Sequence, residues 1–108
     1  MADNVDELSE KNFKEFIEKG KCIVDFYADW CMPCQRMKPI FENVAKKLSG
    51  KIKFGKLNID GNEEIAQEYL VMSIPTLIFF SNGEEINRIN GVISENELEK
   101  SIKASFKT

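Results

Sequence analysis

Cys22-Ile23-Val24-Asp25-Phe26-Tyr27-Ala28, running on through Asp29-Trp30-Cys31-Met32-Pro33-Cys34, passes from a strand pattern to a helix start within thirteen residues. Residues 22–28 are β-branched and aromatic, with apolar side chains on both alternating faces, as in a central strand covered on both sides. Beyond Trp30 the pattern changes period: Met37, Ile40, Phe41, Val44, Ala45 and Leu48 follow helical spacing until Gly50. A buried strand thus runs straight into a helix, with Cys31 and Cys34 at the junction. Pro39 lies inside that helix, where it removes a backbone donor and predicts a kink near residues 35–39.

Working outward, Phe13, Phe16 and Ile17 predict a first helix over 9–19, with Ser9 as its cap and Gly20 as its end. Residues 52–59 read as a second strand and 62–70 as a third helix carrying Ile65, Ala66, Tyr69 and Leu70. Thr76–Phe80 and Glu85–Ile89 flank Ser81-Asn82-Gly83-Glu84, and Asn-Gly between apolar runs signals an antiparallel hairpin. Ser94 with Glu97 matches a capping box ahead of a closing helix in which Leu98, Ile102 and Phe106 recur every four residues. The order predicts an α/β fold: a central mixed β-sheet, parallel strands first and a C-terminal antiparallel hairpin last, flanked by four helices. No repeat, low-complexity run or Pro/Gly/Ser-rich linker interrupts it.

The bulk numbers fit one folding unit over residues 1–108. Hydrophobic residues make up 43% and charged residues 31%, a globular balance. A net charge of -3 without a dense Lys/Arg cluster argues against nucleic acid as a partner. The N-terminal residues lack a basic segment and an apolar core of a leader, and no run of about 18 apolar residues occurs. These features predict a cytoplasmic protein that does not enter a membrane. Three cysteines, an odd number, do not make the paired framework of a secreted disulfide scaffold.

The chemistry of Cys31-Met32-Pro33-Cys34 follows from its place at a helix start. There, unpaired backbone N–H groups and the positive end of the helix dipole favour a thiolate at the first cysteine. An ordinary thiol, with a pKa of about 8.5, is only a few per cent ionised at neutral pH, so this placement makes Cys31 the nucleophile. Cys34 falls one turn later, turned inward and within disulfide reach, which suits it to resolve a mixed disulfide. A zinc site competes poorly, because the sequence has no histidine and only Cys22 remains as a third sulfur. A purely structural disulfide over so short a span would add little stability. No metal is expected, and the Cys31–Cys34 pair is itself the redox group, without a bound cofactor.

Val24-Asp25-Phe26-Tyr27-Ala28-Asp29-Trp30-Cys31-Met32-Pro33-Cys34, then Pro39, Lys56-Leu57-Asn58-Ile59-Asp60, Ile74-Pro75-Thr76-Leu77, Asn82-Gly83 and Gly91 resemble the thioredoxin family nearly end to end. A thiol pKa near 7 belongs to thioredoxin itself and comes with the resemblance. The resemblance implies that Asp25 lies beneath the cysteines and relays a proton to or from Cys34. It also implies that Pro75 is cis, faces the cysteines and leaves the backbone of Ile74 open to a substrate segment pairing like an added strand. Two positions depart from the family: Met32, where glycine is usual, and Asn90, where many relatives carry an apolar residue. Met32 bears on redox potential and on apolar contact with partners; Asn90 makes one edge of the docking surface more polar.

Each supporting residue has a plainer reading. An ionised Asp25 in an apolar strand is costly, which predicts a raised pKa, yet Lys56 could satisfy it as an ordinary ion pair. Pro75 could merely open a strand; Trp30 could be a core residue; Gly91 could simply end a strand. With Trp30 shielding the site, Trp30, Met32, Pro33, Ile74, Pro75 and Gly91 would instead form an apolar substrate patch. Pro39 shapes the helix, and Cys22 reads as inert packing. The expected activity is that of a general protein-disulfide reductase, monomeric, fed by an NADPH- or ferredoxin-linked thioredoxin reductase and acting on disulfide-containing clients. A redox-independent binding scaffold, a disulfide isomerase or oxidase, and a glutaredoxin-like enzyme are the alternatives.

Overall fold

Whether a strand or helix survives in this chain depends on what lies across the sheet from it. The computed structural model describes residues 4–107. Its strands are β1 (Val5–Leu8), β2 (Lys21–Tyr27), β3 (Lys53–Asn58), β4 (Thr76–Ser81) and β5 (Glu84–Asn90). Its helices are α1 (Phe13–Ile17), α2 (Met32–Leu48), α3 (Glu63–Glu68) and α4 (Glu95–Phe106). The sheet order is β1-β3-β2-β4-β5, with β1, β3 and β2 parallel and β4 antiparallel to both β2 and β5. The mixed sheet flanked by four helices is therefore as the sequence predicts.

β2 sits at the centre because both its faces are apolar. Cys22, Val24 and Phe26 pack with Phe13, Ile17 and Ile65 beneath α1 and α3, while Ile23 packs with Met37, Phe41, Val44, Leu98 and Ile102 beneath α2 and α4. Asp25 belongs to the second face. On the first, Phe13 is wholly buried against Phe26, Tyr69 and Phe80, with ring centroids 5.3–6.0 Å apart. On the second, Phe106 near the end of α4 stacks on Phe79 at 5.7 Å, fixing the closing helix to β4.

Three expectations change. Residues 5–8 form an edge strand that the pattern does not announce, since Val5 and Leu8 are buried but Asp6 and Glu7 are exposed, which breaks the alternation of a half-buried strand. What stabilises it is the parallel ladder with β3, from Val5↔Phe54 to Leu8↔Leu57. The first helix is shorter than 9–19, because Ser9 and Asn12 bond each other in a turn. The Ser9 N–H donates to Asn12 Oδ1 at 2.8 Å, and the Ser9 carbonyl accepts from Asn12 and Phe13. The third helix stops at Glu68, with Tyr69 as its cap and Leu70 at φ 53° turning the chain.

Other local signals hold. The Asn82-Gly83 turn has both residues at positive φ, 50° and 87°, as a two-residue hairpin of twisted strands requires. Ser94 and Glu97 form the reciprocal capping box, the Glu97 N–H donating to Ser94 Oγ at 3.1 Å. Pro39 does not divide the helix as its position suggests: α2 is one element from Met32 to Leu48 that already includes Cys34, held by Met37, Phe41, Val44 and Ala45 on its buried side.

Candidate active site

The junction between β2 and α2 is tight. The Cys31 N–H donates to the Ala28 carbonyl at 3.3 Å, and the Gln35 side chain donates to the Asp29 carbonyl at 2.9 Å, tying the first turn of α2 to the segment that leads into it. Cys31 is the N-cap residue, with extended backbone, and Cys34 is the third helical residue. The Cys34 N–H donates to Cys31 Sγ at 3.2 Å, so sulfur performs the role usually taken by a serine or aspartate oxygen. Pro33 stands in the first turn, where a missing N–H leaves no helical bond broken. Negative charge on Cys31 Sγ is favoured by this N–H and by the dipole of a long helix.

Cys31 and Cys34 are joined as a disulfide with Cα atoms 5.2 Å apart. Each residue is 5% exposed, so burial does not distinguish them; their surroundings do. Cys31 Sγ lies 3.8 Å from the Ile74 carbonyl oxygen. Cys34 instead lines a cleft of about 350 Å³ together with Asp25, Tyr27, Asp29, Lys38 and Lys56.

Asp25 is 5% exposed, and its Oδ1 has no hydrogen-bond partner. Burial pushes its carboxyl up to about 7, partly offset by the nearby Lys56 charge. The plain reading in which Lys56 satisfies Asp25 does not hold: the Lys56 ammonium pairs with Glu7 at 3.6 Å, and among the described residues Asp25 has no ion-pair partner. A carboxyl half-protonated near neutrality, opening on a cleft wide enough for water beside Cys34, can both give and take a proton.

The residues expected to form an apolar patch differ in exposure. Trp30 and Met32 are 67% and 64% exposed, while Pro33, Ile74 and Gly91 are partly buried. Trp30 is thus no core residue; its indole N–H donates to Asp60 Oδ2 at 2.9 Å. The Ile74–Pro75 bond is cis, as the resemblance implies, but the Pro75 side chain is buried and offers little surface of its own. The Gly91 N–H donates to the Pro75 carbonyl at 2.8 Å. A Cβ at Gly91 would meet open space, so what the glycine supplies is its φ of 91°. The Thr76 hydroxyl donates to Asn90 Oδ1 at 2.9 Å. Cys22 is fully buried, and burial holds its thiol up at about 11, too high for reaction at neutral pH.

Glu7 and Asp60 carry no local signature in the sequence, because their roles are long-range pairings. Met72, 90% exposed two residues before Ile74, is masked in the sequence by its apolar neighbours Leu70, Val71 and Ile74.

Residues 4–104 match the sequence profile of the family described as Thioredoxin. The chain belongs to the thioredoxin family. It is 47% identical over 85 residues to the thioredoxin of Chlamydia pneumoniae, covering 79% of this chain and 82% of that one. It is 43% identical over 99 residues to the thioredoxin of Rickettsia felis, covering 91% and 92%. The solved structure of Malassezia sympodialis thioredoxin (Mala s 13) superposes with a TM-score of 0.84 at 31% identity, covering 94% of this chain and 90% of that one.

With thioredoxin membership comes the activity: the chain is a thiol-disulfide oxidoreductase, and the Cys31-Met32-Pro33-Cys34 disulfide is its redox group. Thioredoxins carry electrons on protein sulfur, are reduced by thioredoxin reductase and act on disulfide clients. Among the described residues no helix is long and apolar enough to cross a membrane, and no His/Cys/Asp/Glu cluster has the makings of a metal site.

Proposed function

We propose that the chain is a general protein-disulfide reductase in which Cys31 is the attacking thiolate and Cys34 the resolving thiol. The observation that carries this order is the Cys34 N–H aimed at Cys31 Sγ from the first turn of α2. The Cys31 thiolate attacks one sulfur of a client disulfide; a mixed disulfide forms and one client thiolate leaves. Cys34 then loses its proton and attacks Cys31 Sγ, closing the internal disulfide and releasing the second client sulfur as a thiolate. Two electrons have passed from the protein to the client; the proton that Cys34 gives up and one from water, which took the Cys31 proton when its thiolate formed, convert the two client thiolates to a dithiol.

Asp25 is the base for Cys34 in this direction and the acid in reverse, supported by its position in the shared cleft and by a proton affinity near neutral. Trp30, Met32, Pro33, Ile74 and Gly91 receive the client segment, and Pro75 sets the direction of the Ile74 carbonyl toward it. Lys56 supports the site electrostatically. The protein works as a monomer of one domain in the cytoplasm, reduced by a reductase linked to NADPH or ferredoxin.

The test is trapping. Cys34→Ser should accumulate client proteins as mixed disulfides on Cys31, while Cys31→Ser should accumulate none; equal capture by both would overturn the order of attack. Equilibration of the unaltered protein against glutathione checks direction, and a strongly oxidising potential would overturn the reductase reading.

A further inference from the structure

Lys56 stands between two carboxylates. β3 lies between β1 and β2, and Lys56 is in register with Glu7 on one side and Asp25 on the other. Its ammonium takes the outer partner, 3.6 Å from Glu7 Oε1, and leaves Asp25 Oδ1 without a hydrogen bond. Tyr27 reinforces that choice. Its hydroxyl meets the two Glu7 carboxylate oxygens at 2.9 and 3.1 Å, donating its proton there, and its ring lies 5.6 Å from the Lys56 ammonium.

The Glu7 side chain is 53% exposed, so Lys56 keeps much of its hydration when it pairs there, and the Tyr27 hydroxyl and ring fix both partners; an ammonium brought to buried Asp25 gives up that hydration but acts in a poorer dielectric, so the balance between the two positions depends on the Glu7 charge. We infer that Glu7 is a positioning residue that sets the proton affinity of Asp25 by holding the Lys56 ammonium on the outer side of β3. The other groups facing Asp25 stay fixed in this account: Cys34 and Lys38 from α2, Asp29 from the turn before it, Tyr27 on its own strand, and apolar Leu77 in register on β4. When Glu7 loses its charge, Lys56 is free to turn inward and stabilise the Asp25 carboxylate.

The consequence for turnover rests on the proton role proposed above for Asp25; the electrostatic claim does not. Titration of the Asp25 carboxyl by carbon NMR in the oxidised protein reads it directly. Glu7→Gln should lower the midpoint by about one pH unit, the low end of the range for an opposite charge drawn close. Tyr27→Phe should lower it by less, and Lys56→Met should raise it. In the Lys56→Met background, Glu7→Gln should lose most of its effect.

An unmoved midpoint in Glu7→Gln would overturn the inference, as would an equal shift with Lys56 absent, which would mean that Glu7 acts through its own charge alone. The pH dependence of mixed-disulfide resolution is the second readout. If it follows the carboxyl midpoint across the variants, both readings stand. If the midpoint moves and the rate profile does not, Glu7 tunes Asp25 as inferred and the proton role of Asp25 fails.

Discussion

On the outer side of the Cys31–Cys34 bond stand Trp30 and Met32, both about two-thirds exposed, with Ile74 beside them; on the inner side lie Asp25, at 5% exposure, and a cleft reaching Lys38 and Lys56. The outer side is largely apolar and open, with the Asp60 carboxylate at its margin, so it can gain by covering itself with a partner. The inner side is charged and partly buried, so it governs where protons sit. Substitutions outside should therefore change which clients are reduced, and substitutions inside should change how the rate and the stability depend on pH.

The largest effect belongs to Asp25. Its native carboxyl holds a proton up to about 7, against an ordinary 3.8, so this group's contribution to stability is complete below about 3.8, falls as pH rises through the window, and is gone above about 7. At about 1.4 kcal/mol per pH unit, the difference is at most about 4 kcal/mol. Asp25→Asn cannot ionise. It should equal the unaltered protein near pH 4 and exceed it by up to that amount at pH 8, measured by urea unfolding of the oxidised form. Equal stability at both pH values would mean that burial does not hold the proton on Asp25.

Trp30→Ala comes next. Loss of the exposed indole from the proposed client-binding face should raise KM for protein disulfides about tenfold, or about 1.4 kcal/mol, and leave a small disulfide such as that of glutathione unaffected. An equal loss on both substrates would mean that Trp30 shapes the disulfide itself. Met32→Lys, which puts a charge on the same face, should raise KM for protein clients about three- to fivefold with the pH profile unchanged. Asp60→Ala is the smallest: it frees the indole that Asp60 Oδ2 now holds, with about a twofold rise in KM that disappears in the Trp30→Ala background.

The outer side was more legible in the sequence than the inner one, for a physical reason. Trp30, Met32, Pro33 and the two cysteines lie within five consecutive residues at a strand-to-helix junction, where local rules of capping and periodicity apply. The two-residue hairpin at Asn82-Gly83 and the capping box at Ser94 were readable on the same grounds. Asp25 announced itself as an acid in an apolar strand, but its surroundings depend on Lys56 and Glu7, from strands 31 positions up the chain and 18 down it. Strand β1 was illegible because only its ladder to β3 makes it a strand, and the first helix was overestimated because the Ser9–Asn12 turn competes with a helical start.

The register of the sheet has a practical corollary. Val5 on β1 lies level with Phe54 and Ile23, and Phe106 stacks on Phe79, itself level with Ile23. Cys31 is reached only past Tyr27, four residues and about 13 Å further along β2. A leash attached beyond either Val5 or Phe106 therefore pulls on the end remote from the sulfurs, so the molecule can be anchored to a bead or another polypeptide with its business end pointing away.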